Sequence, residues 1–148
     1  MEIKRESYLQ QLISYRFDGL VKVITGIRRC GKSYLLKNIY RDYLLQNGVK
    51  EEQIITIELD LAKDIKFRNP LLLSSYVRER VEGSKEEYYL FVDEIQMSDE
   101  VNNPYNEGGK KITFYDALND LRSLSNLDVY VTGSNSKMLS SDILTEFR

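Results

Sequence analysis

The segment Gly26–Ser33, which reads GIRRCGKS, matches the pattern G-x-x-x-x-G-K-[ST]. The preceding residues 20–25 (LVKVIT) are nearly all apolar or β-branched, which predicts a strand covered on both faces. Apolar residues then recur at helical spacing over 34–45, and Asn47-Gly48 predicts the end of that helix. Glycines between a strand and a helix let main-chain N–H groups converge on phosphate oxygens. The segment therefore predicts a phosphate-binding loop.

The two side chains that end this loop have separate predicted roles. Lys32 adds a full positive charge that can reach the β- and γ-phosphates, at a helix N-terminus that also favours an anion. Ser33 offers its hydroxyl to Mg²⁺. The residues expected to contact the nucleotide are Gly26, Ile27, Arg28, Arg29, Cys30, Gly31, Lys32, Ser33, Tyr34 and, from a later segment, Ser134.

Three residues inside the loop have alternatives that the sequence leaves open. Arg28 and Arg29 either touch phosphate or are solvated, and neither is included among the predicted catalytic residues. Cys30 is either a reactive thiol near positive charge or a side chain that fills space under the loop.

Two acidic residues follow the third apolar segment, 88–92 (YYLFV). The carboxyl ends of parallel strands meet at one edge of a sheet, so Asp93 is expected beside the phosphate-binding loop. Asp93 is predicted to hold Mg²⁺ through water, together with Ser33, and Glu94 to orient and deprotonate the water that attacks the γ-phosphate. The predicted catalytic residues are therefore Glu94 and Lys32. The alternative is that Asp93 and Glu94 only cap the next helix.

Strands and helices alternate along the rest of the chain. Residues 54–59 predict a second strand, Pro70 the first turn of a helix, and residues 129–132 a fourth strand. Residues 97–111 contain turn-forming Asn, Pro and Gly and predict a long loop, either a functional insertion or a solvated surface. The alternation predicts a three-layer α/β fold with a mainly parallel sheet. With 148 residues, a single domain over 1–148 is expected.

The turn after the fourth strand brings small polar groups to the same edge. Ser134 or Asn135 is predicted to sense the γ-phosphate, or else the turn caps a last helix that starts near residue 137. Apolar residues at helical spacing continue to Phe147, and the chain stops at Arg148 without a cap or a breaker. The sequence therefore predicts a fragment of a longer protein.

Composition restricts the classes of function. With 21 basic and 23 acidic residues the net charge is −2, so no global positive charge favours non-specific binding to nucleic acid. One cysteine and no histidine make a disulfide framework and a zinc site unexpected. Residues 1–6 (MEIKRE) are charged where an export signal is apolar, and the apolar runs are far shorter than the ~20 residues of a membrane span. A cytoplasmic location is expected.

Three segments together resemble the AAA-superfamily P-loop ATPases of bacteria and archaea whose longer members continue into a nuclease-like C-terminal domain. They are GIRRCGKS (26–33), LFVDEIQ (90–96), and VTGSNS (131–136) leading to LTEFR (144–148), and they extend over nearly the whole chain. The resemblance implies ATP and Mg²⁺ as ligands and places the strand before the loop next to the fourth strand. It also implies that Glu94 is the hydrolytic base and Ser134 a polar sensor.

The same resemblance implies features at the two ends of the chain. Arg5, Tyr8 and Leu9 look like the flank that lies on the adenine side in this family. The fifth strand, helical lid and C-terminal domain would follow Arg148, and either Arg148 or a residue just beyond it is the expected arginine finger. The candidate partners are other copies of the chain and DNA or another protein.

The leading hypothesis is Mg-dependent binding and hydrolysis of ATP. The alternative is a nucleotide-gated module that binds DNA or protein with little turnover. A small-molecule kinase is less attractive, because the sequence contains no acceptor-site signature and Asp-Glu after a strand suits activation of water.

Overall fold

The structure is a computed structural model of the chain, and it describes residues 2–25, 30–133 and 144–147. The helices are α1 (Glu2–Ser14), α2 (Cys30–Tyr34), α3 (Arg41–Gln46), α4 (Pro70–Val81) and α5 (Phe114–Leu121). The strands are β1 (Val21–Ile24), β2 (Ile54–Glu58), β3 (Tyr88–Asp93), β4 (Leu127–Thr132) and β5 (Leu144–Phe147). A π-helical segment, Leu35–Tyr40, joins α2 to α3 in one helical rod, and 3-10 turns lie at Glu51–Gln53, Ala62–Arg68 and Ile95–Met97. Within these described ranges, every helix is too short or too polar to cross a membrane.

The described strands form one parallel sheet in the order β2-β3-β4-β1-β5. All residues of β1 and β4 are buried, as expected for strands covered on both faces. Parallel strands joined by crossovers bring their carboxyl ends to one edge, where Asp93 ends β3 and Thr132 ends β4. The predicted α/β fold with a mainly parallel sheet is confirmed, and β1 lies next to β4, with Val23 opposite Val131.

Helices cover both faces of the sheet. On one face, α4 and α5 bury an apolar cluster against the strands. On the other face, α1 and the rod from Cys30 to Gln46 bury a second cluster that is rich in tyrosine. Alternate residues of β4 divide between the clusters, with Val129 and Val131 in the first and Tyr130 in the second. This alternation is the period of two of a strand, and the resulting three layers agree with the prediction.

Local signals mark the ends of two helices. Asn47 follows α3, and Gly48 has a φ of 93°, a left-handed conformation that favours glycine. Pro70 is the first residue of α4, and Asn69 Oδ1 accepts hydrogen bonds from main-chain N–H groups of the first turn. The sequence predicted both the end near Gly48 and the start at Pro70.

The segment between β3 and α5 is largely a loop. An antiparallel bridge between Val101 and Ile112 closes it, and Tyr105 near its tip is 95% exposed. Thr113 and Asp116 form a capping box at the start of α5. The loop has the predicted position, and its function stays a prediction.

The carboxyl-terminal segment differs from the sequence-based expectation. Leu144–Phe147 forms β5, which pairs with β1 in parallel. The expectations that these residues continue a helix and that the fifth strand follows Arg148 are therefore wrong. Four residues contain too little periodicity to separate a helix from a strand, and the side of β1 away from β4 supplies main-chain hydrogen-bonding groups that the pattern does not reveal. The described residues do not include Ser134, Asn135, the start of the expected helix near 137, or Arg148.

The sheet contains a buried ion pair that the sequence analysis did not predict. Lys22 in β1 is 0% exposed, and its Nζ lies 2.5 Å from Asp128 Oδ1 in β4. Lys22 also donates to Asp18 Oδ1 and to the carbonyl of Leu20, at 2.9 Å each. Asp128 accepts a further hydrogen bond from the hydroxyl of Tyr130. The partner of Lys22 is 106 positions away in the sequence, so no local pattern reveals it.

Candidate functional site

Asp93 lies at the carboxyl end of β3 and is 4% exposed. The hydroxyl of Ser33 in α2 lies 2.8 Å from Asp93 Oδ1 and 2.7 Å from Oδ2, and it donates to this carboxylate. The two residues are 60 positions apart in the sequence and meet because the strands that precede them run in the same direction. The structure thus brings together the two residues that were predicted to bind the metal.

Thr132 connects the end of β4 to this carboxylate. Its Oγ1 donates to Asp93 Oδ1 and accepts a hydrogen bond from the main-chain N–H of Glu94 at 3.0 Å. Thr132 is fully buried, so both bonds are shielded from water. One hydroxyl therefore fixes the side chain of Asp93 and the main chain of Glu94.

Glu94 has an uncommon backbone conformation. Its φ of 61° and ψ of 57° lie in the left-handed region, which costs a non-glycine residue roughly 1–2 kcal/mol. Its side chain is half-buried, and Oε1 accepts a hydrogen bond from Gln96 Nε2 at 2.6 Å. Residues held in such conformations are frequent at functional sites, and the catalytic role of Glu94 stays a prediction.

Gly133 allows the turn after β4 to pack closely on the turn after β3. A Cβ atom at this position would lie 2.8 Å from Ile95 Cγ1 and 3.2 Å from Gln96 Oε1. The first distance is shorter than carbon atoms tolerate, so a side chain here would displace Ile95. The glycine after Thr132 therefore keeps the two strand ends close together.

Two charged residues beside Asp93 were not predicted from the sequence. Lys37 Nζ lies 3.2 Å from Asp93 Oδ2 and 2.6 Å from Glu58 Oε2. The sequence contains one signal for each residue. Lys37 follows Ser33 by four residues in the helical rod, so the two share a face of the helix. Glu58 ends the strand next to β3, so it lies at the same edge of the sheet as Asp93.

The charges of Lys37 and Glu58 stabilise each other. Burial lowers the pKa of Lys37, but the hydrogen bond to Glu58 and the charge of Asp93 outweigh it, so this pKa lies above its usual value. The hydrogen bond from Lys37 holds the pKa of Glu58 below its usual value in spite of partial burial. Both side chains are therefore charged at neutral pH.

The remaining predicted contacts are placed as follows. Gly31 lies in α2, and Tyr34, the last residue of α2, is 43% exposed. Cys30 and Lys32 also lie in α2, where the structure describes their main chain. The predicted contacts that lie outside the described residues are Gly26, Ile27, Arg28, Arg29 and Ser134.

The predicted adenine-side flank lies in α1. Arg5 is part of this helix. Tyr8 is buried in the tyrosine-rich cluster, and Leu9 packs against that cluster. Tyr8 and Leu9 therefore attach α1 to the core, and a contact with the base stays a prediction.

The donors at this edge fit a Mg²⁺ ion. Mg²⁺ takes oxygen ligands and is usually held by one or two carboxylates together with substrate phosphates. The hydroxyl of Ser33 and the carboxylate of Asp93 supply two such donors in contact. Over 2–25, 30–133 and 144–147, no group of three or more His, Cys, Asp or Glu side chains is arranged to hold a metal. One carboxylate and one hydroxyl suit a metal that binds together with a phosphate.

Two solved structures share the fold of the chain. A structure of Drosophila ORC bound to DNA superposes with a TM-score of 0.60 at 12% identity, covering 97% of this chain and 88% of that one. A structure of C. elegans PCH-2 superposes with a TM-score of 0.57 at 14% identity, covering 95% of this chain and 39% of that one. At these identities the likeness shows the fold.

Two relatives are similar in sequence. An uncharacterized protein of Haemophilus influenzae is 37% identical over 143 residues, which are 97% of this chain and 32% of that protein. The protein MJ1544 of Methanocaldococcus jannaschii is 32% identical over 132 residues, which are 86% of this chain and 24% of that protein. The chain therefore spans about a third or less of the length of these relatives.

A family model described as "AAA domain" matches residues 18–148. The matched range contains all the described strands of the sheet, the phosphate-binding loop segment and the acidic pair Asp93-Glu94 at the end of β3. The AAA-superfamily part of the resemblance is confirmed, while the nuclease-like C-terminal domain and the status of a fragment stay predictions. The chain therefore belongs to the AAA domain family and has the fold of its nucleotide-binding P-loop proteins.

Proposed function

We propose that the chain is an ATPase module that binds ATP with Mg²⁺ at the carboxyl edge of the sheet and hydrolyses it. The observation that carries this proposal is the contact of Ser33 with Asp93, directly beside Glu94. A hydroxyl from a helix and a carboxylate from a strand end, in contact at one point, suit a nucleotide-bound metal. The chain spans 32% of the length of its Haemophilus relative. The ATPase activity of any longer protein that contains this chain is therefore also a proposal.

Each side chain at the edge has a role in the proposal. Lys32 and the main-chain N–H groups of 26–33 bind the phosphates. Ser33 and Asp93 hold the metal, which when bound neutralises phosphate charge and polarises the γ-phosphate. Glu94 takes a proton from the attacking water.

The proposal extends to the organisation of the protein. Residues 1–148 form one AAA-type domain, Ser134 lies near the γ-phosphate as a sensor, and the protein acts in the cytoplasm. In a homo-oligomer, Arg148 or a residue just beyond it reaches the nucleotide of a neighbouring copy.

A steady-state phosphate-release assay on the full-length protein tests the role of Glu94. Glu94→Gln keeps the size of the side chain and removes the base, so turnover should fall roughly 10²-fold or more while ATP binding survives. Glu100→Gln is the matched control, because Glu100 is exposed in the loop after β3 and should keep wild-type turnover. Unchanged turnover in Glu94→Gln would rule out this role.

Calorimetry separates binding from hydrolysis. ATP, ADP and GTP are titrated with and without Mg²⁺, and Lys32→Ala serves as the variant that should lose binding. Equal ATP affinity with and without Mg²⁺ would contradict the assignment of Ser33 and Asp93 to the metal.

A second candidate function is nucleotide-gated binding of DNA or protein with little turnover. The hydrogen bond that Gln96 donates to Glu94 favours this candidate, because it occupies an oxygen of the carboxylate that would otherwise accept a proton from water. Among proteins with this fold, Drosophila ORC has been solved bound to DNA. ATP-dependent retention of a DNA duplex or a protein, with no hydrolysis, would favour this candidate over the ATPase. If the hydrogen bond restrains catalysis, Gln96→Ala should raise turnover.

A further inference from the structure

Lys37 lies between the carboxylates of Asp93 and Glu58 at the carboxyl edge of the sheet. We propose that Lys37 and Glu58 form an ion pair that sets the charge around the Asp93 carboxylate and the metal it binds. This inference rests on the proposed function, because Asp93 binds a metal only in that proposal. Lys37 and Glu58 do not contact the metal in this proposal, and they act on its binding through their charges beside Asp93.

The distances and the burial show that the three charges interact strongly. Lys37 Nζ lies 2.6 Å from Glu58 and 3.2 Å from Asp93, and the exposed fractions of the three side chains are 29%, 20% and 6%. Charges shielded to this extent are screened less by salt and water than surface charges. A change in one of them therefore changes the electrostatic potential at the others.

The register of the sheet explains why a cation is needed here. Glu58 and Asp93 are opposite each other in β2 and β3, so their side chains lie on the same face of the sheet. Like charges at opposite positions destabilise a sheet. Lys37 approaches from the helical rod that covers this face and offsets one of the two negative charges.

The turn after β2 holds Glu58 in place. The main-chain N–H of Glu58 donates to Asp64 Oδ2 at 2.8 Å, and Asp64 is itself buried. Lys63 Nζ lies 3.3 Å from Glu58 Oε1, but Lys63 is more than half exposed and contributes little. The negative charge of Glu58 therefore lies at a fixed place beside Lys37 and Asp93.

Removing the negative charge of Glu58 should weaken Mg²⁺ binding, and removing the positive charge of Lys37 should strengthen it. Glu58→Gln leaves the positive charge of Lys37 unbalanced beside Asp93, which repels Mg²⁺. Lys37→Met leaves two carboxylates side by side, which attracts Mg²⁺. An ion pair that served stability alone would affect both variants in the same direction.

A Mg²⁺ titration of the full-length protein with a fluorescent, non-hydrolysable ATP analogue tests the inference. Glu58→Gln should raise the Mg²⁺ concentration at half-saturation about three- to tenfold, and Lys37→Met should lower it by a similar factor. The double variant should return near the wild-type value. Arg78→Met and Asp120→Asn are the matched controls, because Arg78 and Asp120 form a 2.7 Å ion pair between α4 and α5 and should leave the titration unchanged.

The possible outcomes separate this inference from the proposed function. Shifts in one direction for both single variants, or shifts no larger than in the controls, overturn the inference and leave the proposed function standing. If the wild type binds no ATP analogue with Mg²⁺, the proposed function fails and the inference fails with it. Lys37→Arg should stay closer to wild type than Lys37→Met, and thermal unfolding without nucleotide verifies that each variant is folded.

Discussion

The main-chain N–H of Glu94 donates a hydrogen bond to Oγ1 of Thr132 at 3.0 Å. The same hydroxyl donates to Asp93, so the end of β4 holds both acidic residues that follow the apolar part of β3. This pair of bonds helps Glu94 to keep its left-handed conformation. The geometry of the acidic pair therefore depends on a residue from another strand.

Replacing Thr132 by valine should destabilise the protein by about 1–3 kcal/mol, because a buried carboxylate and a main-chain N–H each lose a hydrogen-bond partner. Thr132→Ser keeps the hydroxyl and should lose less stability. Urea unfolding of both variants measures the difference. Equal stability of the valine and serine variants would show that the hydroxyl is unimportant.

Glycine at position 94 should be more stable than alanine, by about 1 kcal/mol. The φ of 61° at Glu94 strains any side chain with a Cβ atom, whereas glycine adopts this conformation without that cost. Thermal unfolding of Glu94→Gly and Glu94→Ala gives the comparison. The order of stability would be reversed if the left-handed conformation were absent in solution.

Lys22→Met should cost about 3–5 kcal/mol, because it leaves the buried charge of Asp128 without its cation. The double variant Lys22→Met/Asp128→Asn should lose less than the sum of the two single changes, since the unpaired charge is gone. Lys50→Met is the control: its pair with Glu86 is exposed, at 3.8 Å, and should change stability by at most about 0.5 kcal/mol. Additive losses in urea unfolding would contradict a coupled pair.

The tyrosine-rich cluster predicts a loss of stability at alkaline pH. Burial raises the pKa of Tyr40 and of Tyr130 above the usual value, and their hydroxyls are hydrogen-bonded to each other. A pKa that is higher in the folded state contributes stability that is complete below the unfolded pKa of about 10 and is lost as the pH rises through the folded pKa.

An alkaline pH titration, followed by tyrosinate absorbance and by circular dichroism, tests whether stability falls as the pH rises. Part of the absorbance change should appear late, together with unfolding, and Tyr40→Phe/Tyr130→Phe should reduce that part, while Tyr89, whose pKa burial also raises, still contributes to it. The urea-unfolded chain is the control and should titrate in one step. Complete ionisation of the tyrosines before any loss of folded signal would refute the prediction.

Several elements could be read from the sequence because their signals are local. Asn47 and Gly48 end the helical rod, and Pro70 after Asn69 begins α4, since caps and glycine conformations depend on a few neighbouring residues. The meeting of Ser33 and Asp93 was predictable for a related reason. Asp93 ends β3 and Ser33 lies beyond the carboxyl end of β1, and parallel strands place their carboxyl ends together.

The sequence by itself determined the order of strands and helices and the parallel class of the sheet, because hydrophobic period and turn residues act over short stretches of chain. The tertiary structure alone decided the pairing of β5 with β1, the partner of Lys22, and the position of Lys37 between two carboxylates. Each of these joins segments far apart in the chain, and the energy of a buried charge or a strand edge depends on which distant group comes within hydrogen-bonding distance.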